Sequence, residues 1–96
     1  MPAFFIATVK VKNPEKFQEY AKLAAATFAA HGGEIVLRGK AESALASSLG
    51  HGAVGVVKFP DMEALNRWFQ SSEYQAIIPL RKKAADMTII AYSAPA

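Results

Sequence analysis

The chain of 96 residues contains no cysteine, which excludes disulfide bridges and thiolate-ligated metal sites and leaves the redox compartment undetermined on this count. No apolar run reaches the roughly 18 residues of a membrane-spanning helix, so no membrane span is predicted. Clustered charge is also lacking. Eleven basic residues stand against eight acidic ones for a net +3, but Lys10, Lys12, Lys16, Lys22, Lys40 and Lys58 are scattered, and only Lys82 and Lys83 adjoin Arg81. A basic stripe interleaved with aromatics, the footprint of a nucleic-acid partner, is absent. The excess charge reads as a solvated surface, and no nucleic-acid partner is expected.

The conventional chemical signatures are missing too. There is no P-loop, dinucleotide fingerprint or Ser-His-Asp spacing. Gly32-Gly33 follows a helical pattern, at the wrong end of its dipole for phosphate, and Gly50-His51-Gly52 runs into a strand. His31 and His51 are isolated from each other, so neither a metal nor a cofactor is expected. The apolar opening Met1-Pro2-Ala3-Phe4-Phe5-Ile6 lacks a positive leader, Lys10 and Lys12 falling after it, and a cytoplasmic location is expected.

What is present is a dense set of apolar and punctuating residues, with a hydrophobic fraction of 52%. A chain of this length buries about 64% of its unfolded surface, enough for one domain over residues 1–96. Ala3 to Val11 reads as a strand with Phe5, Ala7, Val9 and Val11 on one face and Phe4, Ile6 and Thr8 on the other. Asn13-Pro14-Glu15 supplies a cap, a first-turn proline and a first-turn acid. Phe17, Tyr20, Ala21, Ala24 and Phe28 then follow at helical spacing until Gly32-Gly33 ends the helix. Strands are predicted over Glu34–Arg38 and Ala53–Phe59, separated by a connection from Gly39 to Gly52. That connection exceeds hairpin length and is expected to extend both strands in part as a flap.

The segment from Phe59 to Gln75 is the most informative. It holds a strand end, Asp61 as the cap of a second helix with an apolar stripe of Met62, Leu65 and Phe69, and a further start at Ser72, where Ser72-x-x-Gln75 has capping-box form. Tyr74, Ile77, Ile78, Arg81 and Ala85 share one helical face, Pro79 is expected to kink or restart that helix, and Asp86–Ser93 forms a last strand. The order β-α-β-β-α-(α)-β predicts an α+β, ferredoxin-like domain, a four-stranded antiparallel sheet with helices on one face. Three strands are apolar on both faces, so the helix-free face requires a cover, and a homodimer is expected.

The chain also resembles a known family on specific residues. These are Pro2-Ala3-Phe4-Phe5-Ile6-Ala7, Asn13-Pro14-Glu15, His31-Gly32-Gly33 leading to Arg38-Gly39, Phe59-Pro60, Trp68, Ser72-Glu73-Tyr74-Gln75 and Pro79-Leu80-Arg81. On these it is similar to the domain of unknown function 1330 family, within the dimeric α+β barrel superfamily. The resemblance covers nearly the whole chain. It implies a homodimer whose sheets pack face to face and a cleft between each sheet and its helices, without an established activity. Two departures stand out: similar sequences carry Leu-Glu-Gly where this one has Leu45-Ala46-Ser47, and an acid where it has Lys58.

Five residues frame a candidate small-molecule cleft: Tyr20, Arg38, Trp68, Tyr74 and Arg81. Arg81 carries a permanent charge on an apolar helical stripe and so needs a partner, either a ligand carboxylate or enolate or, in the structural alternative, solvent or helix-end carbonyls reached by snorkelling. By strict alternation Arg38 shares a strand face with Glu34 and Val36, with a surface ion pair to Glu34 as the plain alternative. Tyr20, Tyr74 and Trp68 join apolar rings to polar tips that serve either a ligand or the core. Lys58 faces the same way as Val54 and Val56. His31 suits a helix C-terminus. His51 is the weak candidate for a general base, with no carboxylate or nucleophile partner visible in sequence. Three functions remain open: binding of a small acidic or enolisable molecule, a cofactor-independent monooxygenase- or isomerase-like activity, and a purely structural dimerisation or accessory role.

Overall fold

Strand β1, Ala3–Val11, alternates so regularly that Ala3, Phe5, Ala7 and Val9 are buried while Phe4, Ile6 and Thr8 on the other face are half-buried. It lies at the centre of the sheet in the computed structural model, which describes residues 1–95. The remaining elements are α1 (Pro14–Ala30), β2 (Glu34–Lys40), β3 (Ala53–Phe59), α2 (Met62–Gln70), α3 (Ser72–Ala84) and β4 (Ala85–Ser93). The strand order is β2-β3-β1-β4 with every neighbouring pair antiparallel. This is the expected ferredoxin-like α+β arrangement, in which two βαβ units interleave their strands.

Local chemistry explains the boundaries. Asn13 accepts the Lys16 N–H at 3.1 Å to open α1, with Pro14 in the first turn. At the other end Gly32 takes φ 77°, which lets the Gly33 N–H reach the Phe28 carbonyl at 2.7 Å and close the helix. Asp61 opens α2 by accepting the Ala64 N–H at 2.7 Å. The cap of α3 is Ser71, one residue before the expected Ser72. Its hydroxyl donates to the Trp68 carbonyl at 2.6 Å and accepts the Tyr74 N–H at 3.2 Å. One serine thus closes α2 and opens α3, while the Gln75 side chain donates to the Phe69 carbonyl at 2.7 Å instead of completing a capping box. Pro79 lies inside α3, which continues through it rather than restarting.

Two further expectations change. Strand β2 runs past Arg38 to Lys40, but the paired extension ends where the Ala41 N–H donates to the Gly52 carbonyl at 2.8 Å. Beyond that bond the connection has no regular structure, and Leu45 and Leu49 are 98% and 59% exposed. A ladder that packs on nothing gains too little to offset its ordering entropy. Strand β2 also contains a bulge between Ile35 and Leu37. Glu34 therefore stands opposite Lys58 and Arg38 opposite Gly55, on opposite faces of the sheet. Strict alternation had put them on one face; the extra bulge residue reverses the parity.

All three helices contribute to the core on one side of the sheet. Trp68, 1% exposed, stacks on Phe5 with ring centroids 5.0 Å apart and lies 5.2 Å from Phe28, 5.6 Å from Phe59 and 4.3 Å from Tyr74. Its indole N–H donates to Thr27 Oγ1 at 2.9 Å, and that hydroxyl donates to the Ala24 carbonyl at 2.7 Å. No buried side-chain polar atom among the described residues lacks a partner. The opposite face is bare of helices and exposes Val36, Leu37, Ile90 and Tyr92.

Gly33 enters this core from the α1–β2 turn. A Cβ there would lie 2.8 Å from the Phe59 ring and 3.0 Å from Phe28 Cβ. Gly33→Ala is expected to destabilise the fold by about 1–3 kcal/mol, the usual cost of overpacking. Urea unfolding checks this, and an unchanged midpoint would contradict the packing described.

Candidate functional site

Small side chains in the middle of the sheet leave space beneath α1. Ala7 on β1 pairs with Gly55 on β3, Val9 pairs with Ala53, and Arg38 on β2 stands opposite Gly55. A Cβ on Gly55 would meet nothing within 4 Å. The resulting cleft has a volume of about 190 Å³, with Phe5, Phe17, Phe28, Ile35 and Met87 among its apolar walls. A dry cavity of roughly 150 Å³ accepts a benzene-sized molecule, so a single apolar ring fits here.

Two of the five framing residues, Tyr20 and Arg38, lie on the cleft wall. Arg38 reaches it because the β2 bulge turns its side chain to the helix side, where it sits exposed at the open end. Among the described residues it makes no ion pair. Tyr20 comes from the buried stripe of α1, is 4% exposed, and pairs its hydroxyl with that of Tyr74 at 2.7 Å. Arg81 donates to Tyr74 Oη at 2.9 Å. Tyr74 and Arg81 therefore stand behind Tyr20, away from the wall, and the charge that the α3 stripe carries meets a phenol. Burial pushes the Tyr20 phenol well above its ordinary range, the neighbouring Tyr74 adds to this, and the Arg81 charge opposes it. Tyr20 remains protonated wherever the protein is folded at ordinary pH. Trp68 is in the core, with its N–H committed to Thr27.

His51 is on the other side of the sheet. Its Nδ1 is 2.9 Å from Thr8 Oγ1, and its Nε2 is 3.7 Å from Asp86 Oδ2. The ring thus has a hydroxyl and a carboxylate beside it that no sequence spacing revealed, since β1, the long connection and β4 meet only in the fold. It does not reach the cleft. Lys58 is exposed on that same helix-free face, beside Phe4, Val36 and Val56. His31 ends α1, 3.8 Å from Glu73. Among the described residues no group of three or more His, Cys, Asp or Glu side chains is placed to hold a metal ion, and no helix is long and apolar enough to cross a membrane.

Residues 2–94 match the family described as a domain of unknown function (DUF1330). The chain belongs to that family. No curated protein matches this DUF1330 member. Solved structures do. One is the RPA0582 protein of unknown function from Rhodopseudomonas palustris, 18% identical, with a TM-score of 0.85 over 99% of this chain and 83% of that one. Another is SnoaB from Streptomyces nogalater, a cofactor-independent oxygenase, 16% identical, with a TM-score of 0.72 over 99% of this chain and 94% of that one. A third is a DABB family protein with a ferredoxin-like fold from Mesorhizobium loti, 12% identical, with a TM-score of 0.72 over 99% of this chain and 98% of that one. At these identities the likeness is one of fold, the ferredoxin-like α+β arrangement.

The Tyr20 environment gives a pH signature. Its pKa is raised from the ordinary 10.0 on folding, so the stability gained by keeping it protonated is complete below pH 10 and is lost as pH rises further. The melting temperature is expected to fall above about pH 10, and less steeply in Tyr20→Phe, whatever that variant's absolute stability. Equal slopes in a pH series of thermal melts would contradict the assignment.

Proposed function

We propose that this DUF1330 protein binds a small, largely apolar molecule with an acidic or enolisable group in the cleft between the sheet and α1. The observation that supports this most strongly is Arg38, a permanent cation at the open end of an apolar cavity, facing a glycine and unmatched by any acid among the described residues. A guanidinium there is suited to two-point recognition of a carboxylate. The apolar walls account for affinity and the arginine for orientation, the usual division in small-molecule sites.

An enzymatic use of the same cleft has one point in its favour, the shared fold with a structure described as a cofactor-independent oxygenase. Fold alone does not carry function. The base that such chemistry requires is not provided by His51, which bonds Thr8 on the other face, nor by Tyr20, whose phenol is held protonated.

The proposal includes a homodimer formed through the helix-free face. Val36 and Leu37 on β2 are 52% and 55% exposed and Ile90 on β4 is 49% exposed, a contiguous kind of apolar surface that monomers seldom leave in water. Light scattering on the purified protein is expected to give a dimer mass, and Ile90→Lys is expected to shift it toward monomer; a monomeric parent protein would remove this part of the proposal.

Binding is tested with benzoate and toluene, followed by amide NMR titration. Benzoate is expected to bind more tightly than toluene, and Arg38→Ala to remove that preference by about tenfold, the loss of a charge-assisted contact of roughly 1.5 kcal/mol. Gly55→Val, which fills the cleft where space exists, is expected to abolish binding of both probes while the protein remains folded. If neither probe perturbs the cleft residues, the binding reading fails and the structural or accessory role takes its place.

A further inference from the structure

The Arg81–Tyr74–Tyr20 chain has a direction. Arginine is only ever a donor, so at 2.9 Å it donates to Tyr74 Oη. The 2.7 Å contact between Tyr74 and Tyr20 can then be made in two ways. If Tyr20 donates, Tyr74 accepts twice and its own proton has no acceptor among the described residues, on a side chain 0% exposed. If Tyr74 donates, the proton left over is that of Tyr20, a residue on the cleft wall. An unmade buried donor costs about 1–3 kcal/mol. Only the second arrangement gives that proton somewhere to go, because whatever occupies the cleft can accept it.

We infer that Arg81 and Tyr74 polarise the Tyr20 hydroxyl into a one-way donor aimed at the cleft, so that the site takes a compound presenting an acceptor oxygen there, an enolate, a phenolate or a conjugated carbonyl. This rests on the cleft being a binding site, as proposed above, and adds which oxygen chemistry it selects. The charge of Arg81 never enters the cleft. It acts through two phenols, each donating toward the next, and hydrogen bonds in such chains strengthen one another in a low-dielectric interior. Arg38 and Tyr20 then form the two polar points of an otherwise apolar wall. Tyr20 is a binding group, and Tyr74 and Arg81 are positioning residues.

A neutral phenol is the right form for this task. Burial keeps Tyr20 protonated against the opposing Arg81 charge, so it serves as a donor to oxygen and not as a base. An acceptor carrying developing negative charge gains most, since hydrogen bonds to charged groups are about twice as strong as neutral ones.

The test uses 4-nitrophenol, whose bound phenol and phenolate forms are told apart by absorbance, beside 4-nitrotoluene, in which a methyl group replaces the hydroxyl. Bound 4-nitrophenol is expected to titrate at lower pH in the parent protein than in Tyr20→Phe, with an acid constant about tenfold larger, the scale of one charge-assisted hydrogen bond. Tyr74→Phe and Arg81→Met, which leave Tyr20 in place, are expected to shift the titration in the same sense by a smaller factor, and Arg81→Lys to recover part of it. The affinity of 4-nitrotoluene should be the same in all of them. An unchanged titration in Tyr74→Phe and Arg81→Met overturns the relay while leaving the cleft reading intact. A parallel loss of 4-nitrotoluene assigns the effect to packing and also overturns it. Failure of both probes to bind the parent protein removes the cleft reading and the relay together.

Discussion

The indole of Trp68 is the point at which every layer of the molecule meets. It is carried by α2, stacks on Phe5 of the central strand, touches Phe28 of α1 and Tyr74 of α3, and ties its N–H to Thr27. Apolar contact alone would allow these helices to slide on the sheet, because the hydrophobic effect has no direction. The hydrogen bond to Thr27 supplies the direction: it sets where α2 lies along α1, and the Ser71 hinge then determines where α3 begins. The meeting of Tyr20 with Tyr74 follows from that registration. An arginine seven residues beyond Tyr74 reaches the pair because two turns of α3 bring it back to the same face.

The same packing leaves the cleft open on one side. Trp68 and the large aromatics fill the space around Phe5 and Phe59, whereas the middle of the sheet lies beneath α1 with only Ala7, Ala53 and Gly55 below it. A core packed to ordinary density over its whole area would have larger residues at positions 7, 53 and 55. The cavity is therefore written in the side-chain volumes of the strands, not in a loop, and its floor is as rigid as the sheet.

Much of this was legible in the sequence. Alternation in β1, the Asn13-Pro14-Glu15 start, the glycine pair after α1 and the Asp61 cap define the elements through local physics, and the order of elements then leaves few topologies. Helical spacing put Tyr74 and Arg81 on one face of a helix, where they bond each other, but that Tyr20 joins them behind the cleft wall depends on how α1 packs on α3. What sequence did not disclose is non-local. A bulge depends on how two strands pair, so simple alternation put Arg38 on one face with Glu34, from which the bulge separates it. Thr8, His51 and Asp86 come together from three separate segments with no periodic relation. Gly55 looked like an unremarkable strand residue until its cross-strand neighbours Ala7 and Arg38 showed what it leaves empty.

The bulge at Val36 makes the chemistry of the cleft a matter of counting rather than composition. Paired in strict alternation through Val36, the same residues would set Leu37 opposite Gly55 and Arg38 opposite Val54, on the helix-free face, because strand faces alternate with a period of two. The guanidinium would leave the cleft, and a leucine would fill the space above Gly55. One residue left out of the ladder therefore both keeps the cavity empty and brings the cation to it, and a relative with the same side chains in a regular ladder would have neither.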